Sequence, residues 1–327
     1  MAEKSRLGEF ERIARFFAPL AAPEGLGLLD DVAVIPGPPG QDYVLKTDAI
    51  VENVHFLPDD PPDQVAQKLL RVNLSDIAAK GAEPVGYLLV TALPRSRDDA
   101  WLARFAEGLA RDQASYGIGL LGGDSSATEG PAMLSVTAIG RVAKGAAVLR
   151  RGARAGDVVY VTGTLGDGAL GLAALRGELA GLDAAAYGFL VDRYRLPQPR
   201  LAAGRRLVGI ATAMLDVSDG LVADLGHLCE ASGVAATIEV SRLPLSPAAR
   251  SVIAADPARH AAALTAGDDY ELVFAAPATA EATIAAAAAA TGVPMTMIGR
   301  LEPGRGVTVL DTNGAALKLD VVGYRHF

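Results

Sequence analysis

The chain has 327 residues, half of them apolar and 21% charged, an ordinary globular balance with more material than one hydrophobic core usually organises, so two domains are expected. The formal charge is −8 with no basic run, which argues against a nucleic-acid partner and means that any bound phosphates would need metal ions as bridges. One cysteine, Cys229, excludes a disulfide framework and a Cys-rich zinc site and reads as a buried structural thiol. The N-terminus MAEKSRLGEFERIARFF lacks an apolar signal-peptide core, and no stretch of eighteen strongly apolar residues occurs, so a cytoplasmic chain without a membrane span is expected.

Phe10, Ile13, Phe17 and Leu20 recur at helical spacing and predict an amphipathic first helix. DDVAVI and YVLKTDAIV read as strands. A helix runs roughly from Asp63 to Lys80, started after Asp60-Pro61-Pro62 and stopped at Gly81. GYLLVTALP reads as a strand and WLARFAEGLARDQASYG as a helix. GIGLLGG and AMLSVTAIGRV are strands flanking GGDSSATEG. RGARAGD looks like a hinge, and the domain boundary is placed near Val142–Gly145, giving domains of residues 1–143 and 144–327. The second half opens with the strand VVYVTG, a glycine-rich loop and a helix. TAMLDVSDGLVADLGHL is a strand then a helix, TIEVSRLPL a strand, and AGDDYELVFAAP a loop entering a strand. An alanine-rich helix and a short β segment follow. Mixed elements in both halves point to α/β (α+β) domains in tandem.

Aspartates recur at strand ends and loops beside Gly, Ser or Thr: Asp30 and Asp31 in LLDDVAVI, Asp48 in KTD, Asp76 in NLSD, Asp124 in GGDSS, Asp216 and Asp219 in DVSDG, Asp268 and Asp269 in GDDYE. Short, hard, acceptor-only carboxylates suit Mg²⁺, which takes oxygen ligands and substrate phosphates. Taken singly each has a blander reading. Asp beside Gly is a turn residue, Asp219 could cap the helix that follows, and Asp76 could belong to an outer helix face with Asn73 and Lys80. Only convergence in space makes the set a site.

No GxxxxGK[ST], HExxH or GxSxG occurs. Gly166-Asp-Gly168-Ala-Leu-Gly171 fits GxGxxG after the strand VVYVTG, but no second strand ending in an acidic residue follows soon enough for a dinucleotide fold. A glycine turn packing a helix closely on a strand is the better account. The four histidines are too scattered for a metal cluster, and His55 could share a cleft with Asp48.

Read in order, GEFERIARFF, LDDVAVI, KTDAIVENVHF, AQKLLRVNLSDIAAKGAEP, GGDSS, RRGARAGDVVYVTGTLGDGALGL, LDVSDGLVADLGHL, GDDYELVF and GYRHF resemble the thiamine-monophosphate kinase family, within the aminoimidazole ribonucleotide synthetase-like superfamily. The resemblance implies a two-domain fold whose N-terminal strands form a β-barrel across a homodimer. It implies ATP-dependent phosphorylation of thiamine monophosphate to thiamine diphosphate, with ATP as co-substrate and several Mg²⁺ ions. Asp31, Asp48, Asp76, Asp124, Asp216 and Asp219 would hold the metal, with Lys46 and Thr47 supplying further oxygens. Gly123, Asp124, Arg150 and Ser218 would contact ATP, and His55, Asp268 and Tyr324 thiamine monophosphate. The chain departs from the family pattern in GLLDD for GIGDD, Lys46 for Ser or Thr, GDDYE for GEDYE and AAKGA for AAMGA. Because the acceptor is itself an anionic phosphate, no general base is expected, only positioning and charge neutralisation.

Overall fold

The computed structural model describes residues 8–319 and 323–324. The first helical segment forms, but irregularly. α1 (Glu9–Arg12) passes into a wider turn at Ile13–Phe17 and a tight one at Ala18–Leu20. Its apolar face is not buried within the chain; Leu20 is 81% exposed, while the Phe10 ring lies 4.3 Å from that of His227.

The first sheet contains β1 (Ala33–Pro36), β2 (Gln41–Val51), β3 (Glu83–Pro94), β4 (Gly119–Thr128) and β5 (Met133–Ala143), in the order β1-β2-β5-β3-β4. All neighbours are antiparallel except β3 and β4. A parallel pair needs a crossover, here α3 (Asp99–Tyr116), capped at its start by the Asp98 carboxylate on Trp101 N and ended by Gly117 in the left-handed region. β4 extends through GGDSSAT, which the sequence reading left between strands. Within the chain the sheet is open, with β1 and β4 at its two edges.

α2 (Pro62–Ala79) covers one face of that sheet. Its residues are buried almost all round, polar ones included, because a second layer packs on its other side. That layer belongs to a six-stranded sheet of β6 (Asp157–Thr162), β7 (Ala213–Asp216), β8 (Val234–Glu239), β9 (Leu272–Pro277), β10 (Met295–Pro303) and β11 (Gly306–Leu310), ordered β11-β8-β10-β6-β9-β7. Its helices are α4 (Asp167–Leu175), α5 (Ala184–Arg195), α6 (Leu201–Leu207), α7 (Leu221–Ser232), α8 (Pro247–Ala255), α9 (Ala262–Thr265) and α10 (Glu281–Thr291). Alternate residues of its central strands face two cores. Tyr160, Met214 and Phe274 join the core under α2, while Val161, Leu215 and Val273 pack with α7. Such strands read as continuous apolar runs, as VVYVT and LVFAA do. α6 meets α2 so closely that a Cβ on Gly204 would lie 1.9 Å from the Ala78 carbonyl oxygen. The strand predicted over TIEVSRLPL begins earlier, at Val234, and gives way to a tight turn at Val240–Arg242. No described helix is long and apolar enough to cross a membrane.

Candidate functional site

α2 carries the first part of the site. Asn73, Asp76 and Lys80 share one stripe of this helix, and the stripe faces inward. The Asn73 Oδ1 accepts from the Asp48 backbone N–H at 3.0 Å. Asp76, 4% exposed, faces Lys46, whose ammonium lies 3.1 Å from Asp76 Oδ2 and 3.2 Å from Asp48 Oδ1. The fully buried Lys80 ammonium donates to Asp30 Oδ1 at 2.8 Å and Asp31 Oδ2 at 3.1 Å. The Arg150 guanidinium pairs with Asp31, and the Arg150 backbone N–H donates to Asp30 Oδ2 at 2.8 Å. Arg150 Nε is buried without a hydrogen-bond partner.

β7 delivers Asp216 to the same place, and the following turn delivers Ser218 and Asp219. Gly220 holds the N-cap position of α7, and Asp224, in the first turn of that helix, reaches back so that its Oδ2 accepts from the backbone N–H groups of Ser218, Asp219 and Gly220 at 3.0 to 3.1 Å. The turn also anchors two other segments: Ser218 O accepts from Asp268 N at 3.0 Å, and Asp219 O from Tyr324 N at 2.9 Å.

The electrostatics mark a shared pocket of charge. Burial drives the Asp216 carboxyl up to about 6, and Asp31 adds to the rise. Burial raises Asp76 well above the carboxylate range against the pull of Lys46, with Asp216, Asp31 and Asp48 pushing the same way as burial. Asp31 goes the other way: burial opposes its charge, but Lys80, Arg150 and Lys46 together lower it. Lys46 is disfavoured as a cation by burial yet held protonated by Asp76, Asp48, Asp31 and Asp216. Carboxylates that repel in a dry site need positive charge. This hard-oxygen donor set therefore fits divalent cations that arrive with phosphates. Among the described residues no three carboxylate, histidine or cysteine side chains stand close enough to enclose an ion by themselves; the ammonium groups of Lys46 and Lys80 sit between carboxylates instead.

The predicted acceptor end is organised by a residue the sequence reading missed. Lys68, 2% exposed, donates from Nζ to the His55 carbonyl oxygen at 2.9 Å and to Asp268 Oδ2 at 3.3 Å, and lies 3.8 Å from the Tyr194 ring centroid. His55 Nδ1 accepts from Val51 N at 3.0 Å. Asp268 and Tyr270 both have positive φ, 71° and 51°, unusual for non-glycine residues and typical of functional loops. Burial and then Asp268, Asp48, Asp216 and Asp219 raise the Tyr270 hydroxyl.

The same loop explains the GxGxxG run. Asp269 Oδ2 accepts from Gly166 N at 2.7 Å and Oδ1 from Gly168 N at 3.3 Å. A Cβ on Gly168 would lie 2.2 Å from the Asp268 carbonyl oxygen, and one on Gly171 2.0 Å from that of Leu190. These glycines pack helix against loop and against α5. Behind them Glu271, fully buried, accepts from Arg193 at 2.7 Å, Thr162 at 2.7 Å, and both Arg200 Nε and Nη2.

Tyr324, 51% exposed, lines a cavity of about 790 Å³ with Phe10, His227, Asp219 and Arg305. Burial and then Arg150 hold the His227 imidazole below its usual range.

Three predicted residues stand elsewhere. Side chains alternate along β2, so Thr47 points away from Lys46 and Asp48; its Oγ1 accepts from Thr137 Oγ1 at 3.0 Å on the open face of the sheet. Asp124 aligns with Val90, Ser135 and Ala49 on that same open face, three strands from β2 or about 14 Å. Gly123 lets β4 approach β3, for a Cβ there would lie 1.7 Å from the Leu89 carbonyl oxygen. Within one chain, then, Asp31, Asp48, Asp76, Asp216 and Asp219 are gathered, and Asp124 is not among them.

Residues 29–142 match the family described as AIR synthase related protein, N-terminal domain, and residues 154–312 the corresponding C-terminal domain. The thiamine-monophosphate kinase of Caulobacter vibrioides is 45% identical over 305 residues, covering 92% of this chain and 86% of the relative. This chain belongs to the thiamine-monophosphate kinase family. The structure of AaThiL complexed with AMPPCP and TMP has 33% sequence identity and a TM-score of 0.86, covering 98% of this chain and 99% of that one. The thiamine-monophosphate kinase of Stenotrophomonas maltophilia follows at 37% identity and a TM-score of 0.79, covering 95% and 98%. Membership accounts for the order of the motifs along the whole chain, and the two-domain AIR synthase-like fold expected from them is the fold observed.

Proposed function

We propose that this chain transfers the γ-phosphoryl group of ATP directly to the phosphate of thiamine monophosphate, giving thiamine diphosphate. The observation that carries this reading is the likeness, over nearly the full length of both chains, to AaThiL complexed with AMPPCP and TMP. The gathered carboxylates support it. They fit Mg²⁺ ions bridging two anionic phosphates, which an acidic site could not otherwise hold together. When bound, those ions would neutralise charge on the phosphoryl group in flight.

The residues of this chain would then divide as follows. Asp31, Asp48, Asp76, Asp216 and Asp219 hold metal, with the main-chain carbonyl oxygens of Lys46 and Thr47 nearby. Arg150, whose Nε is buried and unpaired, and Ser218 meet the nucleotide phosphates. His55 and Asp268, fixed by Lys68, and Tyr324 in the lining of the cavity position thiamine monophosphate. The acceptor oxygen is already largely anionic at neutral pH, so no side chain need remove a proton.

We also infer a homodimer. The open face of the first sheet exposes Leu88, Val90, Leu121 and Met133, a contiguous apolar surface that a second copy would cover. A barrel closed by two such sheets is the route by which Gly123 and Asp124 reach the phosphates. The division into domains at residues 143 and 144 and a cytoplasmic location complete the reading.

The test is ADP release by purified protein with ATP and Mg²⁺, comparing thiamine monophosphate, thiamine and no acceptor. Release that requires thiamine monophosphate, with thiamine diphosphate formed, supports the proposal. Binding without ADP release would make the chain a thiamine-phosphate binder, and release with another acceptor would assign it to a ligase-like relative. Direct transfer predicts inversion at a chiral γ-phosphate; net retention would refute it.

A further inference from the structure

The Lys46 ammonium lies at the centre of the carboxylate cluster. It stands 3.1 Å from Asp76 Oδ2 and 3.2 Å from Asp48 Oδ1, and its side chain is only 13% exposed. Asp31 and Asp216 also act on its charge. The pleat of β2 dictates this position: Lys46 and Asp48 are two residues apart and share the face that α2 covers. A Mg²⁺ ion would require carboxylate oxygens at about 2.1 Å, and those of Asp48 and Asp76 that face each other are turned onto nitrogen instead.

We propose that Lys46 is a resident cation of the phosphate site, occupying the place between Asp48 and Asp76 that a divalent ion would otherwise take, so that the site loads one metal ion fewer with its substrates. Lys46 thereby becomes a positioning residue. It keeps the Asp48 and Asp76 carboxylates close together before any nucleotide arrives, and it supplies one positive charge that cannot dissociate. The remaining oxygens of Asp48 and Asp76, with Asp31, Asp216 and Asp219, are left for the exchangeable ions. An ammonium carries half the charge of Mg²⁺ and imposes no octahedral geometry. The pair of carboxylates it bridges is therefore held less tightly than a metal would hold them, which leaves them free to reorient as phosphates enter. The inference rests on the kinase reading only in assigning phosphates to this site.

The test is Mn²⁺ binding by the full chain without nucleotide, read by electron paramagnetic resonance, for wild type, Lys46→Ser and Lys46→Met. Serine opens the position and adds an oxygen; methionine keeps the length and removes the charge. The proposal expects Lys46→Ser to bind one additional Mn²⁺ per chain and both variants to bind Mn²⁺ at least about tenfold more tightly than wild type, since a positive charge close to two carboxylates is gone. Equal stoichiometry and affinity in all three proteins would overturn it. A second arm needs no variant and decides the matter if the variants do not fold. The labelling rate of Lys46 by an amine-reactive reagent, read by mass spectrometry, should be unchanged by saturating Mn²⁺; a rise would mean that metal displaces the lysine, and would overturn the proposal. Neither arm uses ADP release, so a chain that proved to phosphorylate another acceptor would leave both readouts intact.

Discussion

Replacing Asp216 by Asn should make the metal-free protein more stable while destroying its activity. Asp216 is 4% exposed, and burial together with Asp31 raises its carboxyl from 3.8 to about 6. A shift of roughly two units corresponds to a cost on the order of 3 kcal/mol for keeping the group ionised in the folded chain. The sign follows from proton uptake. The folded state binds this proton more tightly than the unfolded state, so the cost is present in full above about pH 6 and is relieved as pH falls toward the ordinary carboxylate range. Asparagine keeps the shape and carries no charge. Urea unfolding in EDTA at about pH 7.5 should therefore show Asp216→Asn more stable by about 2–3 kcal/mol, and the gain should shrink below pH 6 and vanish near pH 4. Saturating Mg²⁺ with ATP should narrow the gap at neutral pH, because cations remove the repulsion that penalises the wild-type group. A variant less stable than wild type at neutral pH, or a gain that does not depend on pH, would refute the reasoning: the first would mean that Asp216 is an ion-pair partner of Lys46 or Lys80 and not a strained metal ligand.

Asp76→Asn should lower turnover by about a hundredfold or more, since it removes a buried charge from the cluster proposed to receive the phosphates; ADP release measures this, and a folded variant with near-normal turnover would count against the site. Glu271→Ala should destabilise the fold by about 3–5 kcal/mol in urea titrations, because it leaves the Arg193 and Arg200 charges without their buried partner. Gly168→Ala should push on the Asp268 carbonyl and distort the loop carrying Asp268 and Tyr270, so steady-state kinetics should show KM for thiamine monophosphate rising severalfold with a smaller change for ATP.

Much of the fold was legible because its elements obey their local periods. The helix from Asp63, the paired strands around KTD and the strand-to-helix step at LDVSDG each fall within a few residues of the observed bounds. The N-terminal helix was misjudged in one respect: Phe10, Phe17 and Leu20 make an apolar stripe, but periodicity does not say what the stripe packs against, and in this chain it stays mostly exposed. The extent of β4 was missed because GGDSSAT has poor strand propensity; its glycine serves close approach to β3, a contact 34 residues away in sequence. The carboxylates could be picked out by type and position, but their partners could not. Lys68 stands in AQKLLRV, where one charge in an apolar run was the available signal, and the role of Asp224 in holding the DVSDG turn was hidden because only the three-dimensional turn sets which carboxylate reaches the three amides of Ser218, Asp219 and Gly220.

Those buried partners give the site its logic. α2 is enclosed by both sheets, so each polar group it carries must be satisfied internally; Asn73 and Asp76 meet this demand at Asp48 and Lys46 of β2, and Lys80 at the loop carrying Asp30. The same demand requires lysines among the aspartates: Lys46 and Lys80 lower the repulsion between them, but Asp76 and Asp216 remain raised, so the compensation is incomplete. On the proposed reading, that incompleteness is what the metal ions would offset, and affinity for anionic substrates would depend on the ions that accompany them. A site fully neutralised by its own lysines would be more stable and would bind metal less well; one with no lysines would need ions simply to fold. Between those limits, swapping Lys46 for Ser should move the protein toward metal-dependent folding, which a comparison of wild-type and variant urea midpoints with and without Mg²⁺ would detect as a larger metal-induced shift in the variant.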